Sequence, residues 1–401
     1  MLPKDPRRRK FAAVLNSSHQ YLLDMGAKIA HGKSMNFAST KKARTWLAET
    51  AWPLAGGAIK VVEHLRYLGG HISMGARRHH TTLSARGIYG QSMANKVHRL
   101  PVDRKNKAAI IRAKVIPASL YGIEIADFSE REFASLTVCI MRPLTANASR
   151  KDVDWVFQVA SFGDDLDPIC LALKHRCLAL RRTLAKRPHL IGKYEAIYRA
   201  YGSKHTAATL PEGYTNENLS KLVPAPHPTV GSRKAWKTAI QARGPVGLLL
   251  QSIHCIGAAL NSRFEIVQFN EAPISVLQMP YQFLGEVVSQ AAARARTAEA
   301  QGTKASNTHL REIDVKASTS LHNKLSEPDL GYLLTLQTGG GWNKEHLERI
   351  GEVEDANCDY GGGPAQDLVH LTFQCSFFHT TRMEVDGTLA QLNPDLLPTS
   401  V

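Results

Sequence analysis

Residues 83–138 read L-S-A-R-G-I-Y-G-Q-S-M-A-N-K-V-H-R-L-P-V-D-R-K-N-K-A-A-I-I-R-A-K-V-I-P-A-S-L-Y-G-I-E-I-A-D-F-S-E-R-E-F-A-S-L-T-V. The stretch is rich in Ala, Ile, Lys and Arg and its pattern is helical throughout. Pro101 marks a boundary and Pro117 a kink, because a proline removes a backbone donor and crowds the preceding turn. A chain that keeps this pattern across its centre is predicted to be mainly α.

The same pattern extends downstream. Helical signals recur at 151–160, 168–187, 189–201, 232–242 and 246–260, separated by a loop over 202–231 that holds Pro211, Pro224, Pro226 and Pro228. A small strand pair is expected near Phe264–Phe269, and residues 291–309 read as a helix end running into a linker. Leu330–Leu336, a glycine run at 339–341, and Lys344–Ile350 read as helix, turn, helix. Upstream, Phe11, Leu15, Leu22 and Met25 share one helical face within 11–31, and Gly26 is a suitable C-cap. Lys33–Ala38 reads as a strand and Lys41–Ala51 as a helix. The pieces Ala58–Val62 and Leu65–Ser73 together read as a β-hairpin.

Six cysteines at 139, 170, 177, 255, 358 and 375 have no framework spacing, which points to a reducing compartment. The longest apolar stretch, Val246–Leu260, is broken by Gln251, Ser252 and His254 and is too short to span a bilayer, so no membrane association is expected. The chain opens on the basic run Arg7-Arg8-Arg9-Lys10 rather than on a signal peptide. An intracellular protein, nuclear or cytoplasmic, is the expectation.

The net charge of +15 is unevenly spread. Residues 1–150 hold 25 Lys+Arg against 9 Asp+Glu, residues 151–330 hold 22 against 16, and residues 331–401 hold 3 against 10. A basic first third suits a polyanion such as RNA or DNA, since each neutralised phosphate releases counterions. The acidic last part is unsuited to binding phosphate through bulk charge. Trp46, Tyr67, Tyr89, Tyr121 and Trp155 could stack on bases, although their spacing assigns most of them to the core. His64, His71, His79 and His80 lie among Arg77, Arg78 and Arg86; without Cys partners or helical pairing they read as a basic face rather than a metal cluster.

The tail carries C-D-Y-G-G-G-P-A-Q-D-L-V-H-L-T-F-Q-C-S-F-F-H-T-T-R from Cys358 to Arg382. Cys358, His370 and Cys375 have the spacing of a zinc knuckle in which Gly361 occupies the place of a second cysteine. Tetrahedral zinc needs four donors. His379, one helical turn beyond Cys375, is the candidate substitute. The competing reading is a buried cysteine pair beside an unrelated histidine. Loss of a ligand predicts weak or absent zinc.

In this order the pieces resemble the carboxy-terminal half of a non-LTR retrotransposon reverse transcriptase. Met25-Gly26-Ala27-Lys28 with Lys33-Ser34 looks like the segment that follows the catalytic Asp pair. Leu65-Arg66-Tyr67-Leu68-Gly69-Gly70 is similar to the primer-grip hairpin. Ile116-Pro117-Ala118-Ser119-Leu120-Tyr121-Gly122-Ile123-Glu124 looks like the thumb signature. Leu166-Asp167-Pro168 with Arg176 and Arg181-Arg182 resembles the start of the post-thumb helices. Thr338-Gly339-Gly340, Cys358, His370-Leu371, Cys375 and Arg382 resemble the terminal knuckle.

The resemblance implies a palm remnant over 1–75, thumb-like helices over 76–150, a post-thumb helical region over 151–310, and a helical hairpin with a degenerate knuckle over 311–401. It also implies nucleic-acid contacts from Arg7, Arg8, Arg9, Lys10, Lys33, Lys41, Lys42, Tyr67, Gly69, Arg77, Arg78, Lys105 and Lys107. In the family, the carboxylates that hold Mg²⁺ lie upstream of all these motifs, and no Mg²⁺ site is expected in this chain. Phe162-Gly163-Asp164-Asp165 imitates the polymerase Asp pair but sits after the primer-grip-like hairpin and directly before a helix, where carboxylates serve as caps. Lys33 matches a lysine that acts on pyrophosphate in the family; with no substrate site beside it, it reads as a solvated lysine. Three functions follow: a nucleic-acid-binding remnant inactive as a polymerase, part of an active polymerase whose palm lies upstream, or a helical protein–protein module.

Overall fold

The structure, a computed structural model, describes residues 5–56, 59–67, 70–73, 81–145, 153–162, 165–202, 244–254, 256–268, 271–303, 315–338, 343–360, 366–367 and 370–385. It is mainly helical with a few small strands. The chain divides into two compact units, Met1–Thr82 and Leu83–Val401. The parts expected at 151–310 and 311–401, with most of 76–150, fall together in the second.

In the first unit, α1 (Pro6–Asp24) begins at Asp5, whose carboxylate accepts the Arg7 N–H at 2.9 Å. The helix stops at Asp24, where the expected stop signal acts: Gly26 takes a left-handed φ of 77°. Strand β1 (Met35–Phe37) is followed by α2 (Lys41–Glu49), capped by Thr40, whose hydroxyl accepts the Ala43 N–H. Strands β2 (Lys60–Val62), β3 (His64–Tyr67) and β4 (Gly70–Ser73) complete the unit.

The expected hairpin is re-paired. Strand β2 joins β1 in parallel, while β3 and β4 form an antiparallel pair with Tyr67 opposite Gly70. Gly70 therefore opens a strand of its own, instead of interrupting a single long one. Lys33 lies on a one-turn 3₁₀ helix, His31–Lys33, and not on the strand. Ala12, Leu47, Trp52, Ala55 and Ile59 form a small core. Above it Phe11, Trp46 and Trp52 meet edge to face at 6.0–6.3 Å.

The second unit opens with α3 (Thr81–His98), α4 (Arg104–Ile110), a π-helical turn at Ile111–Val115, and α5 (Ile116–Leu120). The π turn gives the Pro117 kink its cause: the Ile116 N–H bonds back to Ile111, so the backbone is already displaced where the proline ring enters. Helix α6 (Glu130–Met141) starts at a capping box built by Ser129 and Glu132. Gly90 lets α3 approach α5 closely, since a Cβ there would stand 2.5 Å from Ser119. Helix α7 (Val153–Val159) contributes Trp155, fully buried, to a core shared with α3–α6.

A second core gathers α8 (Pro168–Lys186), α9 (Ile191–Gly202), α10 (Gly244–His254) and α11 (Tyr281–Thr303) around strands β5 (Ala258–Leu260), β6 (Glu265–Gln268) and β7 (Ile274–Ser275). Two expectations are corrected here. The helix expected to reach Leu260 ends at His254, because Gly257 at φ 65° turns the chain into β5. The expected strand pair is a three-stranded antiparallel sheet, order β5-β6-β7. Helices α12 (Val315–His322) and α13 (Glu327–Gln337) then lead to α14 (Lys344–Arg349) and the tail helix α15 (His379–Val385). The expected helix at 232–242 lies outside the described residues.

Arg176 joins the two cores. Buried on α8, it donates to the carbonyls of Ile123, Ala126 and Leu248, to the Ser252 hydroxyl, and to the Asp127 carboxylate at 3.0 Å. The three carbonyls are buried and the carboxylate balances the charge, which is why a charged side chain is tolerated there.

Candidate metal centre and basic cleft

The tail brings Cys358, His370 and Cys375 together. Their ligand atoms lie within 4.8 Å of one another, and all three residues are buried. The two Sγ atoms are 3.8 Å apart. Two thiolates on one tetrahedral zinc, each at about 2.3 Å, stand about 3.8 Å apart. His370 Nε2 is buried without a hydrogen-bond partner among the described residues, as suits an imidazole offered to a metal. The cluster could hold a metal such as zinc.

Local structure explains the convergence. The His-x4-Cys spacing is one π-helical turn, His370–Gln374, closed by the Cys375 N–H donating to the His370 carbonyl at 2.6 Å. Asp367 caps that turn by accepting the His370 N–H at 2.6 Å. Gln366 holds Cys358 from the other side: its N–H donates to Ala356 O, its Oε1 accepts the Lys344 N–H, and its Nε2 lies 3.9 Å from Cys358 Sγ. Lys344 reaches Asp359 at 2.5 Å, a hydrogen bond that raises its pKa. Arg382 is buried on α15 and donates to the Cys375 carbonyl at 2.6 Å, fixing the last ligand's backbone. Gln366 and Asp367 were not singled out from the sequence, because neither belongs to a ligand spacing.

His379, the expected fourth donor, is exposed and outside the cluster. A 3₁₀ turn over Ser376–Phe378 delays α15 until His379, so Cys375 and His379 do not share a helical face. Tyr360, Phe377 and Phe378 cluster at 5.1–5.6 Å around that turn. Gly361 lies outside the described residues.

Three of the expected phosphate contacts meet in the first unit. Arg8, Lys41 and Lys42 line one cleft of about 450 Å³ with Thr45, Trp46 and Glu49. The Arg8 guanidinium lies over the Trp46 ring, 5.4 Å from its centroid, and is oriented by it. Lys41 and Lys42 open α2, where free backbone amides add positive potential. Arg7, Arg9, Lys10 and Lys33 are exposed, away from this cleft's lining.

No protein family, curated protein or solved structure matches the chain.

The other expected contacts are dispersed. Lys105 donates to Asn323 and Lys107 to the His98 carbonyl, both within the second unit. Tyr67 belongs to β3, while Gly69, Arg77 and Arg78 lie outside the described residues. Among the aromatic candidates Trp155 is core, but Tyr89 and Tyr121 are 60% and 55% exposed, against the expectation that most are buried. Arg86 covers the Tyr121 ring at 4.6 Å. Asp165 is taken up by Lys174 at 3.2 Å and Ser289 at 2.6 Å, and Asp167 caps α8 and pairs with Arg296 at 2.8 Å. Asp164 lies outside the described residues. Among the described residues, no helix is long and apolar enough to cross a membrane.

Proposed function

We propose that this chain is a nucleic-acid-binding remnant of a reverse transcriptase of the non-LTR retrotransposon kind. It grips phosphates through its first unit and carries a metal-holding tail. The observation that carries this proposal is the meeting of Arg8, Lys41 and Lys42 in one cleft at the start of α2, in the most basic third of the chain. Three cations around one helix N-terminus neutralise phosphates without reading bases. Exposed Tyr89 and the Arg86–Tyr121 pair offer stacking surfaces within the second unit. The 401 residues hold no Tyr-x-Asp-Asp, so binding rather than nucleotide transfer is the function assigned to them.

The test is fluorescence anisotropy with single-stranded RNA across a salt series. Three phosphate contacts predict a log–log slope of about −2 or steeper, with little dependence on sequence. Salt-independent binding, or none at low salt, overturns the proposal. For the tail, Cys358, His370 and Cys375 are expected to retain one zinc per chain weakly, because only three donors converge. Metal analysis should show it lost in His370→Ala and unchanged in His379→Ala; loss in the latter contradicts the exposed position of His379.

A protein–protein role is favoured by one feature, the outward side of α1 and its C-cap, where Val14, Tyr21 and the capping Met25 are 60%, 63% and 67% exposed.

A further inference from the structure

A cavity of about 260 Å³ lies between α6, α7, α8, α10 and α11, wholly within the second unit. Its walls include Phe133, Val138, Val153, Ile169, Ala172 and Ile256. An apolar cavity of roughly 150 Å³ is enough to admit benzene, so this one has room for a bicyclic guest. Both arginines at its edge have carboxylate partners, and Glu130 lies exposed at the rim. Arg176 pairs with Asp127, and Arg296 pairs with Asp167. Gln251 lines the cavity, is 5% exposed, and its Oε1 is buried without a hydrogen-bond partner among the described residues. The last torsion of a glutamine turns at little cost, so this oxygen can meet a donor on a guest. Exposed Glu130 and Ala134 on α6 mark where the cavity reaches solvent.

We propose that this cavity binds a small, neutral, largely apolar molecule carrying one hydrogen-bond donor, of the size of a substituted aromatic ring or an indole. The apolar walls supply the affinity, and Gln251 selects for the donor. A guest with a full charge is disfavoured, because both buried arginines already have carboxylate partners and a further charge would enter without one.

Indole and benzothiophene separate the two elements of the claim, having nearly the same shape while only indole carries an N–H. On the full chain, indole is expected to raise the melting temperature saturably and to bind about fivefold more tightly than benzothiophene, the worth of one neutral hydrogen bond. Gln251→Leu should bring the two probes to equal affinity. Ala134→Trp, at the exposed mouth and therefore without cost to the core, should abolish binding of both. The proposal is overturned if neither probe binds at millimolar concentration, if the two bind equally to the unaltered chain, or if Ala134→Trp leaves binding unchanged.

Discussion

The two units place their cations differently, although each encloses some: in the first, Arg44 meets Glu63 at 2.6 Å and the carbonyls of Ala38 and Ser39. In residues 83–401 the arginines that decide the fold are buried and matched: Arg176 by five acceptors, Arg104 by Glu327 at 2.6 Å, Arg296 by Asp167. In residues 1–82 the core is five side chains, and Arg8, Lys41 and Lys42 face outward into a shallow cleft. Cations enclosed by carbonyls and carboxylates fix geometry. Of the cations facing the cleft, Arg8 has Asp5 at 3.6 Å, while Lys41 and Lys42 are exposed to solvent. The contrast teaches that total charge says little until one asks which cations the fold itself has already neutralised.

The largest effect should come from breaking the enclosed set. Arg176→Leu leaves half-buried Asp127 and three buried carbonyls without their donor, and should cost about 3 kcal/mol in denaturant unfolding. RNA binding by whatever fraction remains folded should be unaltered. A loss below about 1 kcal/mol would mean that Arg176 is a bystander between the cores.

Acid should weaken the second unit more gently. Burial holds the His322 and His175 imidazoles below their ordinary value of 6.5, offset in part by Gln337 and Glu124. The unfolded chain therefore binds more protons than the folded one just below pH 6.5. This contribution to stability is complete above that pH and declines as pH falls through the window between 6.5 and the lowered folded values. Melting temperatures at pH 7.5 and 5.5 test the sign. His322→Gln should flatten the dependence, and a melting temperature that rises on acidification would refute it.

How far the sequence revealed this contrast depends on the region. The helices of 83–138 were legible because their periodicity is long and both prolines fall at real breaks. The sheet was less so: Ala258–Leu260 continues an apolar helical run, and only Gly257 signals the change. The first half of α11 was not identified. Its Gly285 weakens a helical reading, yet the glycine sits where α11 meets α8, and a Cβ there would stand 3.2 Å from Lys174 and 3.4 Å from Leu178. In the tail, the three donors were legible from spacing and Arg382 from the resemblance, whereas Gln366 and Asp367 act through backbone groups that no spacing rule reports. In the same way, the run Arg7–Lys10 and the pair Lys41-Lys42 were both visible as charge. Only folding shows that Arg8 alone of that run lines the cleft with Lys41 and Lys42.

The smallest effect on stability and the most direct test of function come from the same variant. Arg8→Ala, Lys41→Ala and Lys42→Ala combined should change unfolding free energy by no more than about 1 kcal/mol, as for exposed charges generally. Titrating single-stranded RNA into this variant and the unaltered chain across the same salt series isolates the cleft. Removal of three phosphate contacts should reduce the magnitude of the log–log salt slope by about 2 and weaken binding at least tenfold at low salt. An unchanged slope and affinity would place the phosphate contacts elsewhere and contradict the division of labour between exposed and enclosed cations.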